Sequence, residues 1–318
     1  MRPFRRSRLS AAKFFAHIVA LAAAESDDET LPAPFVSLIV PVYNTAPAYL
    51  DALVASVRAQ KKGAWELVLS DDGSTAPETR DWLDRQQGAA DLRILRHAQN
   101  RGIAAASNAA IEAALTPWIG FLDHDDALAP YALEQIWRAL PARPECQFLY
   151  TDEVVATGKM RPVDLFLKPA FDPVLLSGVN YLNHLSLYRR ERVIELGGLR
   201  EGYEGSQDYD LVLRYTRELK ADECVHLPYP AYIWRRDGAS YSAKNMGRAT
   251  DNARRALAEA YASDFAAPVV EAAVGGDLHR VRFDAARRHW PLVSVVIPNR
   301  DSPALISNVV QGLKEKTD

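Results

Sequence analysis

The sequence predicts an α/β fold in which a mostly parallel central sheet is flanked by helices. From residue 35 to about residue 150, short runs rich in β-branched residues alternate with stretches of helical periodicity. Such βα units normally build a parallel sheet that helices cover on both faces. The 318-residue chain, with 48% hydrophobic and 25% charged residues, also has the composition of a globular protein with a substantial core.

Local patterns place the elements of this half. The predicted strands are residues 36–40, 66–70, 92–96, 118–122 and 147–151. Apolar side chains recur at helical spacing after the first strand, where they are Leu50, Leu53, Val54 and Val57. Pro130 suits the start of a later helix.

Beyond residue 152 the sequence predicts an irregular half that faces a substrate. This region is rich in Pro, Tyr and Leu, and it contains an aromatic run near residues 229–234. Helices are expected around residues 211–219 and 248–262, the second because Ala and Arg dominate there.

The end of the chain repeats its first βα unit. Residues 292–298 share the pattern of residues 35–41, and Pro303 follows as Pro47 does. One strand and one helix cannot bury a domain core, so we expect a second, truncated domain in preference to an accessory unit. Chance similarity of two βα units is the alternative. The expected organisation is a basic helical segment (1–33), a main domain (34–265), a linker (266–290) and the truncated domain (291–318).

A run rich in carboxylates follows a predicted buried strand. Asp123, Asp125 and Asp126, with His124 among them, come directly after the apolar residues 118–122. Oxygen ligands at such a position suit a hard divalent cation, which can hold a diphosphate. For an isolated run, a solvated loop or a helix cap is the alternative reading.

Polar segments follow three of the predicted strands, at residues 41–44, 71–74 and 123–126. Ligands of open parallel sheets bind beyond the carboxyl ends of the strands. Strands that lie side by side would therefore present these segments to one crevice. This convergence is stronger evidence for a site than any single motif.

Five segments stand in order along the chain: VSLIVPVYN at 36–44, LVLSDDGST at 67–75, NRG at 100–102, SN at 107–108 and FLDHDD at 121–126. The set resembles the family 2 glycosyltransferases of the GT-A fold, over roughly residues 34–242. The C-terminal segment resembles the opening of a second copy. The resemblance implies transfer of a sugar from a nucleotide donor with inversion at the anomeric carbon.

By this likeness, Pro41, Tyr43 and Asn44 lie near the nucleoside, and Asp71 or Asp72 accepts an N–H of the base. We expect Asp72 to make that contact. Uracil and thymine offer an N3–H to a carboxylate, which favours a UDP- or dTDP-sugar as donor. A turn with an Asx cap is the alternative for this segment taken alone.

The resemblance also implies a metal. Asp123 and Asp125 match the acidic positions of the family's DxD motif, so we expect them to bind Mn2+ or Mg2+, and Asp123 also to contact the donor's ribose. His124 is expected to be a spacer and Asp126 to cap the next turn. Asp237 stands where the family often has a metal-binding His after Trp-Arg, and is either a third ligand or a turn aspartate.

Residues 205–211 resemble the family's acidic motif at the start of a helix, with Gln207 in place of the usual Glu. Inversion by direct displacement needs a base opposite the leaving group, and Asp208 is the candidate, with an N-cap as the alternative.

Arg101 is expected near the diphosphate or in a surface ion pair. Asp152 is expected near a substrate or in a solvated loop.

The function implied is that of an inverting, metal-dependent hexosyltransferase acting on a glycan or polysaccharide acceptor. The alternative from another class is a catalytically degenerate binding module, which Asp237 and the truncated C-terminal repeat favour. A nucleotidyltransferase is less favoured because residues 41–47 contain no phosphate-binding loop rich in Gly and Lys. Lys168 and His184 lie in the expected acceptor half, where a lone Lys or His is more often structural.

Charge, cysteines and the N-terminus bear on partners and location. A formal net charge of -3 gives no basic field for nucleic acid, and two cysteines, Cys146 and Cys224, favour a reducing cytoplasm. Residues 14–24 are apolar but too short to span a bilayer. We expect a helix at the inner-membrane surface or packed on the main domain, rather than an export signal. The basic residues around its start are Arg2, Arg5, Arg6, Arg8 and Lys13.

Overall fold

The computed structural model describes residues 10–26, 30–31, 33–61, 63–236, 246–263, 268–274, 278–282 and 294–316. The chain divides into two compact units, Met1–Phe283 and Asp284–Asp318. Within the described residues, the first unit contains a nine-stranded sheet with helices packed on it and a small two-stranded sheet.

The first half of the large sheet follows the predicted βα alternation. After α1 (Ala11–Glu25) come β1 (Val36–Val42), α2 (Pro47–Arg58), β2 (Trp65–Asp71), α3 (Pro77–Gln86), β3 (Leu92–Arg96), α4 (Ile103–Ala113), β4 (Trp118–Phe121), β5 (Ala127–Leu128) and α5 (Ala132–Ala139). The α5 helix begins two residues after Pro130, and Tyr131 is its N-cap.

The second half is built from longer strands and shorter helices. Its elements are β6 (Phe148–Thr157), β7 (Pro162–Phe166), α6 (Pro173–Leu176), β8 (Ser186–Arg189), α7 (Arg190–Glu195), α8 (Gln207–Thr216), β9 (Cys224–Arg236) and α9 (Met246–Tyr261). The separate pair is β10 (Val269–Ala272) with β11 (His279–Arg282). The aromatic run near residue 230 is therefore part of a long strand, β9.

Strand order is β3-β2-β1-β4-β8-β6-β9-β5, with β7 paired to β6. The predicted parallel arrangement is found in β3, β2, β1 and β4, whose helical connections allow parallel crossovers. Beyond β4 the sheet is mixed: β8 runs antiparallel to both β4 and β6, and β9 is parallel to β6. The short connection between β6 and β7 permits only antiparallel pairing there.

Two apolar cores cover the sheet, one on each face. Val36, Leu38 and Val40 of β1 belong to the core that includes α2 and α5 residues, whereas Ile39 belongs to the core that includes α4 and α8 residues. Successive side chains of a strand point to opposite faces, so a β1 that is apolar throughout must be buried on both.

The N-terminal apolar stretch forms α1, which packs against other elements of the first unit. Ala22 is buried, and the rings of Phe15 and Tyr131 are 6.4 Å apart. No described helix combines the length and apolar character needed to cross a membrane. The basic residues before Ser10 lie outside the described residues.

The second unit departs from the prediction for its strand. The expected helix forms as α10 (Pro303–Lys316), but residues 294–299 have no regular secondary structure. A strand needs a neighbouring strand for its backbone hydrogen bonds, and the described part of this unit supplies none.

Candidate active site

The carboxyl ends of β2, β1 and β4 lie at one edge of the sheet because these strands are parallel neighbours. The Asp72 N–H donates to the Val42 carbonyl at 2.8 Å, and the Leu122 N–H donates to the Ile39 carbonyl at 3.1 Å. The segments 41–44, 71–74 and 123–126 therefore begin from the same edge, as the sequence predicts.

Asn44 ties the loop after β1 to the start of α3. Its Oδ1 accepts the N–H groups of Thr75 and Ala76, each at 2.8 Å, and its own N–H donates to the Ser74 hydroxyl at 2.9 Å. Asn44 has a φ of 50°, which Asn tolerates better than most residues. Tyr43, beside it, is 44% exposed and available to a ligand.

Asp71 is buried at the end of β2, where Pro41 pairs with Ser70 on the neighbouring strand. One oxygen of Asp71 lies 3.0 Å from the Arg96 guanidinium, and the other accepts the Ser74 N–H at 3.0 Å. Both oxygens thus stabilise the loop itself.

Asp72 organises the loop before α4. Its two oxygens accept the N–H groups of Arg101 and Gly102, each at 2.8 Å. Each carboxylate oxygen has a second lone pair, so these contacts leave Asp72 able to accept a base N–H, which stays a prediction. The Arg101 side chain is exposed and lies 3.7 Å from Glu201, the surface ion pair given above as one alternative.

The acidic run is fastened to β9 by Asp126. Its Oδ2 accepts the Tyr232 hydroxyl at 2.6 Å, and its Oδ1 accepts the Arg235 N–H at 2.7 Å. The Arg235 guanidinium also donates to the carbonyl of Asp125 at 2.6 Å. The expectation that Asp126 caps the next turn is therefore wrong, because its carboxylate is used by a strand more than a hundred residues away.

The carboxylates of the run differ in electrostatic character. Burial opposes ionisation of Asp123, but the hydrogen bond and charge of His184 outweigh it and lower the pKa of Asp123. Burial, reinforced by the charge of Asp123, raises the pKa of Asp125 and raises that of Asp126 to about 8. Asp123 combines this lowered pKa with a side chain that is 46% exposed.

The residues fit a divalent cation only in part. Among the described residues, no group of three or more His, Cys, Asp or Glu is placed to hold a metal. Asp123 and Asp125 supply hard oxygen donors, and Mg2+-type sites commonly use one or two carboxylates together with substrate phosphates. Asp237, the expected third ligand, lies outside the described residues.

His184, which the sequence analysis read as more often structural, lies against the acidic run. Its Nε2 lies 3.3 Å from Asp123 Oδ2, its Nδ1 lies 3.9 Å from Glu153 Oε2, and its ring stacks on Tyr232 at 4.7 Å. Burial disfavours the charged ring, but the two carboxylates outweigh it and raise the pKa of His184. These partners lie far apart in sequence, so no local spacing signals them.

Asp152 is buried rather than placed in a solvated loop, so that alternative is wrong. Its Oδ1 accepts the Lys168 backbone N–H at 2.9 Å and lies 2.8 Å from His226 Nε2. Direct contact of Asp152 with a substrate stays a prediction.

Asp208 lies in the first turn of α8, and Ser206 is the N-cap, so the N-cap alternative for Asp208 is wrong. Asn180 Nδ2 donates to Asp208 Oδ2 at 2.9 Å. Burial raises the pKa of Asp208, the charge of His184 opposes that rise, and the charge of Asp123 adds to it. Three distant segments therefore share one electrostatic neighbourhood.

Comparison with known proteins identifies the domain. Residues 37–196 match the family model described as glycosyl transferase family 2. The chain belongs to glycosyl transferase family 2. The resemblance predicted from its motifs is thereby confirmed, and the domain is that of a transferase enzyme.

Curated relatives of this family 2 domain are longer proteins. The chain is 38% identical over 296 residues to the uncharacterized protein y4gI of Sinorhizobium fredii, and 33% identical over 287 residues to the O-antigen biosynthesis protein RfbC of Myxococcus xanthus. Each alignment covers 89% of this chain but only 32% of y4gI and 22% of RfbC. The chain thus spans about a third or less of these relatives.

Solved structures share the fold. TarS 1-349 of S. aureus in complex with UDP-GlcNAc is similar with a TM-score of 0.53 and 17% identity, covering 72% of this chain and 73% of that TarS chain. The mannosyltransferase PcManGT of Pyrobaculum calidifontis, in complex with GDP-Man and Mn2+, gives 0.51 and 18%, covering 80% and 71%. At these identities the likeness shows the GT-A fold alone, and it confirms the predicted fold class.

Proposed function

We propose that this domain transfers a sugar from a UDP- or dTDP-sugar to a glycan or polysaccharide acceptor, with inversion at the anomeric carbon. The observation that carries the proposal is geometric: the loops after β2, β1 and β4 begin at one edge of the sheet, and His184, from the other half, lies 3.3 Å from Asp123. The charges of His184 and Asp123 both act on Asp208 at the start of α8. Family membership and the biosynthetic name of RfbC support it.

Asp208 acts as the base. Its carboxylate takes the proton of an acceptor hydroxyl as that oxygen attacks the anomeric carbon, and the bond from that carbon to the diphosphate oxygen breaks. Asn180 donates to Oδ2, a contact that favours the ionised form that a base needs. The raised pKa of Asp208 strengthens it as a proton acceptor.

The donor side is built from the loops after β1 and β2. Pro41, Tyr43 and Asn44 would line the nucleoside, and Asp72, already fixed by two backbone N–H groups, would accept the base N3–H. Mn2+ or Mg2+, held by Asp123 and Asp125, with Asp237 as a further candidate ligand, would offset the charge of the departing nucleoside diphosphate. Arg101, whose exposed guanidinium lies 3.7 Å from Glu201, is a further candidate for contact with the diphosphate.

A nucleotide screen tests the proposal. Calorimetry would measure binding of UDP, dTDP and GDP to the chain with and without Mn2+, and proton NMR would follow the anomeric configuration of the product. We expect uridine or thymidine nucleotides to bind and the configuration to invert. Absence of nucleotide binding at millimolar concentration would point instead to the degenerate binding module, and retention of configuration would remove Asp208 as the base.

A further inference from the structure

A fully buried lysine lies behind the acidic site. The Lys168 side chain is 0% exposed and its Nζ is 2.8 Å from Oε1 of Glu153, whose side chain is 5% exposed. Burying two charges has a large desolvation cost, and a buried ion pair is rarely more stabilising than apolar residues of the same size. Stability alone is therefore a weak explanation for this pair.

Lys168 also holds a strained turn. Besides its contact with Glu153, its ammonium donates to the backbone carbonyls of Asn183 and His184. These contacts use all three donors of the ammonium group. His184 has a φ of 48°, a conformation that residues other than Gly rarely adopt and that persists when surrounding contacts enforce it.

The turn presents an imidazole to the acidic run. His184 lies between Glu153, at 3.9 Å from its Nδ1, and Asp123, at 3.3 Å from its Nε2. Tyr232, on which the ring stacks, accepts the Asp123 backbone N–H at 3.2 Å. A continuous set of contacts thus runs from Lys168 to the carboxylate assigned to the metal.

We propose that Lys168 is a positioning residue for sugar transfer: with Glu153 it fixes the turn at His184, which in turn fixes the orientation of the Asp123 carboxylate toward a cation and the donor diphosphate. This inference rests on the proposed function. Partners behind a metal ligand commonly change metal affinity or activity by about 10- to 100-fold when they are removed.

The chain offers a matched control in a second buried Lys–Glu pair. Lys61 Nζ lies 3.2 Å from Glu134 Oε1, and both side chains are 8% exposed. This pair joins the segment after α2 to α5. Loss of either lysine removes an ammonium partner from a buried carboxylate, so both variants should lose stability. Glu134 keeps Arg138, 2.7 Å away, so the loss should be smaller for Lys61→Met.

The test compares Lys168→Met with Lys61→Met. Electron paramagnetic resonance of free Mn2+ would give the Mn2+ affinity of the full chain in the presence of UDP, with no turnover needed, and thermal unfolding would report stability. We expect both variants to unfold at lower temperature, Lys168→Met to bind Mn2+ at least about tenfold more weakly, and Lys61→Met to stay within about twofold of the unchanged chain. Equal Mn2+ affinity in Lys168→Met, or an equal loss in Lys61→Met, overturns the proposal.

If Lys168→Met does not fold, a second variant, Glu153→Gln, tests the positioning role of Lys168. Glu153→Gln keeps the volume and an acceptor for the ammonium but removes the charge that faces His184. A loss of Mn2+ affinity of at least about fivefold supports the proposal, and unchanged affinity overturns it. If the unchanged chain itself fails to bind Mn2+ with UDP, the proposed function fails, whereas normal binding in every variant refutes the role of Lys168 alone.

Discussion

The two halves of the sheet hold their functional residues in different ways. In the parallel half, Asn44 and Asp72 accept backbone N–H groups of loops that follow adjacent strands. Where the acidic run after β4 meets the mixed half, side chains from distant segments contact one another, as between Asp126 and Tyr232 or between Asp123 and His184. The loops assigned to the nucleoside are thus held by local backbone contacts, whereas the acidic run and Asp208 depend on the packing of separate elements.

This difference separates the expected effects of substitutions. A change in the parallel half should alter a loop and the binding of the nucleotide. A change around α8 should alter turnover while nucleotide binding stays. The following experiments test that division.

The largest effect is expected from Asp208→Asn. The amide cannot take the acceptor proton, so kcat should fall by about 10^2- to 10^4-fold while UDP affinity stays nearly unchanged. Steady-state kinetics and calorimetry measure the two quantities. Gln207→Glu, which restores the usual residue of the family beside the base, is the control and should remain active. If Asp208→Asn kept most of the activity of the unchanged chain, another group would be the base.

Asp123→Asn should weaken binding of the nucleotide in the presence of Mn2+. Loss of the accessible, ionised carboxylate should lower Mn2+-dependent UDP affinity by about 10- to 100-fold, since a cation at this place loses a charged ligand. Calorimetry with and without Mn2+ measures how much of the UDP affinity depends on the metal. Asp91→Asn, which breaks an exposed ion pair with Arg58, serves as the control. If UDP binds equally well without Mn2+ in the unchanged chain, the metal assignment fails.

Asp72→Asn should destabilise the loop before α4. An amide has one acceptor oxygen where the carboxylate has two, so either the Arg101 or the Gly102 N–H loses its partner, with a loss of about 1–3 kcal/mol in the free energy of unfolding. Urea denaturation measures this loss. UDP affinity should fall as well while kcat changes little, and a fall in kcat without loss of affinity would break the division between the two halves.

The smallest effect concerns pH. Because burial raises the pKa of Asp208, the ionised base is present above that raised value and is lost as pH falls through it. The acidic limb of kcat/KM should therefore lie above the ordinary aspartate value of about 3.9. Asn180→Ala removes a donor to the ionised form and should move the limb to still higher pH. A limb unmoved by this substitution would show that Asn180 does not tune the base.

Much of the parallel half can be read from the sequence because its signals are local. Alternating β-branched runs give β1, β2 and β3 within two residues, and the polar residues after each strand must share an edge once the strands are parallel. Residues 294–299 show the limit of such reading, because the same apolar pattern forms no strand where the described residues supply no partner.

The order and spacing of the motifs along the chain are specific enough to predict the family, the α/β fold class and the candidate residues Asp72, Asp123 and Asp208. The surroundings of these residues come from tertiary packing: Asp126 is bonded to β9, Asp208 to Asn180, and Lys168 is linked to Asp123 through His184. Burial and long-range pairing shift the pKa of each carboxylate and set its orientation. The spacing of residues along the chain predicts neither the pKa nor the orientation of a carboxylate.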